Sequence, residues 1–285
     1  MPDKRTIVIT GASSGFGLLT AKAFAADGWR VYATMRAPQG RSAPLAAELR
    51  SAGVGVVQLD VTDDASVAAA AKTIHAEVPA IDVLVNNAGG AYFGIEEAYT
   101  PALVEQQFAT NVFGPLRVNR AFQPAMRARK SGLVVYLSSV VGRMIVPFGG
   151  IYTASKWALE ALAETSSYEL APFGIDVAIV EPGAFATDIF SKTAGADDAA
   201  CIASYGDVAR VAAGQAARVE AGSVGRDPND VARAILQLAN APAGTRPLRT
   251  VVPNHPAVDA INAALAPIQA KIIEAMSAPA ATQPR

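Results

Sequence analysis

Tyr152 and Lys156 stand four positions apart in the run GGIYTASKWALEAL, residues 149–162. In a helix that spacing puts a phenol and an ammonium one above the other on the same face. A free tyrosine titrates near ~10, and a positive charge beside it favours the phenolate. Such a pair could give a proton to a carbonyl oxygen or take one from a hydroxyl at a pH nearer neutrality. A packed tyrosine beside a solvated lysine is the plainer alternative, so the surrounding elements have to decide.

A second chemically loaded stretch is TGASSGFG, residues 10–17. It joins the β-branched run TIVIT to an apolar helical run. Gly11, Gly15 and Gly17 would let the chain turn sharply and let a ligand approach the backbone closely. The helix that follows offers free N–H groups and the positive end of its dipole, which suit a pyrophosphate. Ser13, Ser14 and Phe16 lie within the same turn. GASSG also satisfies the G-x-S-x-G nucleophile elbow, with Ser13 as nucleophile and His255 as base. That elbow needs a strand deep in the sheet order, whereas this turn follows the first strand.

The elements that must position these residues alternate regularly. Strands are expected over 6–10, 29–35, 54–60, 81–87, 132–139, 175–183 and 248–254. Helices are expected near 17–27, 42–51, 64–77, 101–129, 152–172, 227–242 and 256–277, the last interrupted by Pro267. The strands are continuous apolar runs, the mark of strands covered on both faces. The expected fold class is α/β: a doubly wound parallel sheet, or Rossmann fold, in three α/β/α layers with about seven strands. One domain is expected over 1–285. It carries a helical lid insertion near 184–226, a C-terminal helical extension and a loose tail, APAATQPR.

The glycine spacing, NNAG at 86–89 and the Tyr152–Lys156 pair together resemble the short-chain dehydrogenase/reductase family in its compact branch. The resemblance is dense over about 5–190. It implies that Ser139, thirteen residues before Tyr152, steadies a substrate oxygen, and that Asn111 supports a water linked to Lys156. It also implies that Asp60 and Val61 approach adenine, and that Asn87, Ala88 and Gly89 close the fourth strand near the adenosine ribose. By the same resemblance, PGAFAT would set Pro182 and Gly183 at the end of the sixth strand and Thr187 against the nicotinamide carboxamide or the phosphates. Tyr152 and Lys156 would themselves touch the cofactor. Plainer roles stay open for several of these: a helix cap for Asp60 and Thr187, a strand-ending turn for Asn87 and Gly89.

A carboxylate closing the second strand would select NAD by binding ribose hydroxyls. This chain has Met35 there, followed by Arg36. A guanidinium suits a 2′-phosphate, with the Ser14 hydroxyl beside it. The expected cofactor is NADP(H), the plainer alternative being that Arg36 is a solvated loop residue.

The substrate wall should come from 140–150 and the lid. Val141, Val146, Phe148, Phe185 and Phe190 make an apolar rim, pointing to a hydrophobic ketone or secondary alcohol. The post-serine loop and VYATMR resemble the hydroxysteroid and retinol dehydrogenase branch. Two alternatives are a nucleotide-sensing regulator without chemistry and a reductase of carrier-bound 3-oxoacyl groups. The second would want a basic docking patch, and Arg127, Arg129 and Lys130 form the only dense cluster.

Composition excludes other classes. With 51% apolar and 17% charged residues and a formal charge of −1, neither a nucleic-acid groove nor a polybasic membrane patch is expected. Cys201 is the only cysteine and His75 and His255 the only histidines, so no metal site is expected. The lone cysteine and the charged opening MPDKR, without a signal-peptide pattern, suit a reducing cytoplasm. By resemblance, helices 101–129 and 152–172 would pack in a homodimer or homotetramer.

Overall fold

The computed structural model describes residues 4–189 and 195–276. Seven strands form one parallel sheet in the order β3-β2-β1-β4-β5-β6-β7. They are β1 (Thr6–Ile9), β2 (Arg30–Met35), β3 (Gly55–Gln58), β4 (Val83–Asn86), β5 (Gly132–Leu137), β6 (Ile175–Pro182) and β7 (Arg249–Val252). The order runs outward from β1 in one direction and resumes at β4 in the other. The crevice at that switch point, beyond the carboxyl ends of β1 and β4, is where such sheets take ligands.

Alternate residues of each strand face opposite layers. Ile7, Ile9, Val83 and Val85 pack against α1 (Gly15–Ala26), α2 (Ala43–Ser51) and α10 (Asn229–Asn240), with Phe24 and Ile235 fully buried between. Val8, Leu84, Val134 and Ile179 face α3 (Asp64–His75), α5 (Gly114–Arg129) and α6 (Gly150–Leu170), where Phe122 and Leu159 fill the layer. Each large side chain buried this way contributes about 1.5–3 kcal/mol.

Two expectations about helices are corrected. The run 101–129 is not one α-helix. It is α4 (Pro101–Phe108), a wider π turn over Ala109–Phe113, and α5. The inserted turn lies at Asn111, and such insertions recur at functional sites. Pro267 does not interrupt α11 (Pro256–Met276), which runs through it. The lid contains α7 (Ala199–Ser204), α8 (Asp207–Ala213) and α9 (Gln215–Ala221). The expected loose tail lies outside the described residues.

Candidate active site

The glycine turn is locked to the end of β4. Gly11 has φ +66°, and a Cβ there would lie 2.8 Å from Ala88 Cα. A Cβ on Gly17 would lie 2.4 Å from Asn87 Nδ2, so only glycine lets this helix start pass beneath the neighbouring loop. Asn87 Nδ2 donates to the carbonyls of Thr10 (2.7 Å) and Gly11 (3.1 Å). The Thr10 hydroxyl accepts from the N–H groups of Asn87 and Ala88, both at 3.0 Å. Asn87 thus works as a buckle between two strand ends.

This turn forms one end of a cleft of about 660 Å³ over the carboxyl ends of the strands. Ser13, Ser14, Gly15 and Phe16 line it, as do Asp60, Val61, Ala88 and Gly89. Asp60 accepts from the Thr62 N–H (2.9 Å) and hydroxyl (2.7 Å), while Asp63 caps α3 through the Ala65 N–H (2.8 Å). The capping role therefore belongs to Asp63. Met35 is buried at the end of β2, Arg36 is exposed, and Arg41 joins Arg36 at the cleft. Sequence reasoning missed Arg41, whose position in the loop after β2 gave no periodic signal.

The proton-handling candidates converge at the other end. Tyr152 is 8% exposed, Lys156 6% and Ser139 8%. Ser139 lies two residues beyond β5 and donates to the Pro182 carbonyl at 3.3 Å, tying it to the end of β6. Phe93 packs edge-on against Tyr152, ring centroids 5.9 Å apart, and removes water from that side. Lys156 donates to the Leu137 carbonyl at 2.7 Å, with its Nζ 5.8 Å from the Tyr152 ring centre. Burial lowers the lysine to about 8, opposed by the nearby Glu160 carboxylate. The expected lowering of Tyr152 is reversed: burial pushes the phenol up to about 12, and the Ser139 hydrogen bond pulls only part of the way back. Burial is the larger influence on the phenol because it disfavours the charged phenolate.

Asn111 is 1% exposed and does not line the cleft. Its Oδ1 accepts from the Gly90 N–H (3.0 Å), and its Nδ2 donates to the Gly90 carbonyl (3.0 Å) and the Ser155 hydroxyl (3.0 Å). The π turn aims it at the β4 loop and α6, where it braces the helix that bears Tyr152 and Lys156. Gly17 likewise sits behind the cleft wall rather than on it.

Pro182, Gly183 and Thr187 line the cleft at the end of β6. Thr187 crosses above the glycine turn, its Cβ 3.6 Å from where a Gly15 Cβ would stand. On the substrate side, Val141 and Val146 line the cleft. Phe148 does not. Its backbone has φ +59°, which turns the ring into a separate cluster with Ile95 and Ala212 under the lid. Phe185 is 2% exposed and packs edge-to-face on Phe16, centroids 5.5 Å apart, so it belongs to the glycine-turn end rather than the substrate wall. Phe190 lies outside the described residues. Met144, Ile189 and Val219 complete the apolar wall instead. Arg226 also reaches the cleft, its Nη1 donating to the Ala184 carbonyl at 3.1 Å.

The rival readings fare differently. His255 Nδ1 accepts from the Val258 N–H (3.4 Å) and so caps α11. Arg129 is pinned to Asp82 (3.0 Å) and the Ile81 carbonyl (2.7 Å), beside the amino ends of the strands and away from the cleft. No group of three or more metal-ligating side chains occurs among the described residues. None of the described helices is long and apolar enough to cross a membrane.

The glycine turn, the switch-point cleft and the Ser–Tyr–Lys group at its far end define a nucleotide-dependent oxidoreductase of the doubly wound class. Residues 5–198 match the family model for short chain dehydrogenase, and the chain belongs to that family. It is 37% identical to the uncharacterized oxidoreductase YusZ of Bacillus subtilis over 83% of this chain and 85% of that protein. It is 37% identical to human retinol dehydrogenase 8 over 85% of this chain and 79% of that one. A short-chain dehydrogenase from Streptomyces avermitilis superposes with TM-score 0.79 at 34% identity, covering 96% of both chains. An actinorhodin polyketide ketoreductase solved with NADPH superposes with TM-score 0.73 at 29% identity, covering 88% of this chain and 97% of that one.

Proposed function

We propose that this oxidoreductase uses NADP(H) to interconvert a hydrophobic ketone and a secondary alcohol. The observation that carries the reading is the convergence of buried Tyr152, Lys156 and Ser139 at one end of the cleft whose other end is the glycine turn. The residues present fit a dinucleotide: the glycine turn opens onto the cleft, and Cβ atoms at Gly11 or Gly17 would force it off the end of β4. Its N–H groups, with Thr187, would hold the pyrophosphate, and Arg36 with Arg41 would hold a 2′-phosphate. When bound, the nicotinamide supplies or accepts the hydride.

The chain's own residues do the rest. Ser139, whose single O–H donates to the Pro182 carbonyl, would turn that proton to the substrate oxygen and fix its place. Tyr152 is fully protonated near neutrality and donates its proton to the oxygen in reduction, taking one in oxidation. Lys156 holds positive charge behind the phenol and steadies it as the proton leaves. Phe93, Met144 and Val146 keep water away. The apolar wall, together with similarity to a retinol dehydrogenase and a polyketide ketoreductase, favours aryl, alicyclic or long-chain ketones over sugars. The chain acts as one domain over 1–285, its lid residues closing over the substrate.

NADPH oxidation against a panel of ketones, with Tyr152→Phe as control, tests the reading. Removing a general acid should lower kcat by ~10²–10⁴ without changing the melting temperature. Full activity in Tyr152→Phe would overturn the assigned acid. Faster turnover of sugars or small hydroxy acids than of aryl ketones would overturn the substrate class.

A further inference from the structure

Beside the cleft, the ends of β5, β6 and β7 and one face of α6 enclose a group of charges that the chemistry above leaves unused. Glu160 stands one helical turn beyond Lys156 and is 2% exposed. Arg249 of β7 donates from Nε to Glu160 Oε2 at 3.1 Å and from Nη2 to Glu164 Oε2 at 2.6 Å. The same Nε lies 3.4 Å from Oε1 of Glu181, a fully buried residue of β6. Glu181 Oε2 accepts from Asn262 Nδ2 of α11 at 2.7 Å, and Asn262 Oδ1 accepts from Arg143 Nε at 2.7 Å. The Ser138 hydroxyl and Glu160 Oε1 converge on Gly142, where a Cβ would lie 2.6 and 3.2 Å from them. The groups facing Glu160 are therefore Lys156 and Glu164 on its own helix, Arg249 from β7, Glu181 from β6, Ser138 from the end of β5, and Arg143 from the turn that follows.

Two buried carboxylates, Glu160 and Glu181, share one guanidinium, and like charges that close do not both stay ionised readily. Their surroundings differ. Glu160 receives a charged hydrogen bond from Arg249, whereas Glu181 receives one from a neutral amide. A charge-assisted bond favours the ionised acceptor more strongly. Burial raises both acids, and the Arg249 hydrogen bond acts against that rise at Glu160, favouring its ionised form.

We propose that Glu160 is a positioning residue for proton transfer: its carboxylate, anchored by Arg249 and one helical turn from Lys156, supports the positive charge of the Lys156 ammonium. The assignment rests on Lys156 serving the reduction proposed above. It ties β7 and, through Glu181 and Asn262, α11 to the catalytic helix. Glu160 is the group that opposes the downward pull of burial on Lys156.

The test is a carbon-13 titration of the lysine side chains in the full chain without cofactor, the Lys156 signal being the one that disappears in Lys156→Arg. Glu160→Gln should move the Lys156 midpoint down by about one pH unit, the scale of a single close charge. Glu160→Asp should move it less in the same direction. Glu164→Gln, which removes a partner of the same arginine two turns from Lys156, should leave it in place. An unmoved midpoint in Glu160→Gln, or an equal shift in Glu164→Gln, overturns the role. If Glu160→Gln does not fold, an unmoved midpoint in Glu160→Asp overturns it equally. In turnover, the alkaline limb of ketone reduction should move down with the midpoint. Full activity of Tyr152→Phe would sink the reading of the site, while the titration would still report on the Glu160–Lys156 couple.

Discussion

Lys156 and Tyr152 are pushed in opposite directions by the same burial, and that contrast sets the pH response. Tyr152 remains an acid up to about 12, so its proton is available throughout the neutral range. Lys156, near 8, loses its charge first as pH rises. Reduction should therefore be flat near neutrality and fall as pH passes through about 8, which a kcat profile from acid to alkali would show. A limb appearing only above pH ~10, where an unperturbed phenol titrates, would assign it to tyrosine instead. The pairing of these two residues was legible in the sequence, but the sign of the tyrosine's shift was not. It depends on how deeply Phe93 and Ser139 bury the phenol, which spacing does not encode. Arg36 tests a separate residue-scale claim. Arg36→Asp should weaken NADPH binding by about tenfold to a hundredfold, the scale of a charge-assisted hydrogen bond, and improve NADH in comparison. Equal KM values for NADPH in variant and parent would show that Arg36 merely faces solvent.

At the scale of elements, every strand was readable because each is a mostly apolar run bounded by turns, even where Asp176, Glu181 or Arg249 interrupts it. The glycine turn was readable for a related reason, since its backbone admits no side chain. Gly11→Ala would force a Cβ into φ +66° and to 2.8 Å from Ala88 Cα. Strain of that kind costs about 1–3 kcal/mol. Weaker NADPH binding in a fluorescence titration, with a lower melting temperature, is expected, and unchanged values of both would contradict the cradle. The π turn at Asn111 was not readable, because one extra residue in a helix leaves the apolar pattern almost unaltered. The lid was the least legible element. Its helices α7 to α9 are six or seven residues long, too short for a clear period. They are held by tertiary contacts such as Asp197 accepting from the Thr100 N–H (2.9 Å) and hydroxyl (2.7 Å). Phe148 was misassigned for the same reason, since its left-handed backbone redirects the ring under the lid.

For the whole molecule, the raised Glu181 makes stability depend on pH in an unusual direction. Burial and the neighbouring Glu160 raise this acid to about 7. An unfolded glutamate titrates near ~4.3, so between those values the folded chain holds a proton that the unfolded chain releases. Stability from this group is fully present below the unfolded value and is lost as pH rises toward 7. Glu181→Gln, which keeps the amide-bonded shape without the charge, should raise the melting temperature at pH 8 and change it little at pH 4. The surface carries a further consequence. Phe113, Leu116 and Trp157 are 47%, 39% and 43% exposed on the outer sides of α5 and α6 and the turn before α5. Large apolar side chains gathered on adjoining helices favour a second copy of the chain as cover. A stable interface buries about 800 Å² on each partner. Trp157 points away from the cleft while its neighbours Tyr152 and Lys156 are buried, so charge placed at 157 should break the pairing without entering the site. Sedimentation velocity on Leu116→Glu with Trp157→Glu should then show half the mass of the parent. A parent already sedimenting as a monomer would remove the dimer from the account and leave those side chains simply exposed.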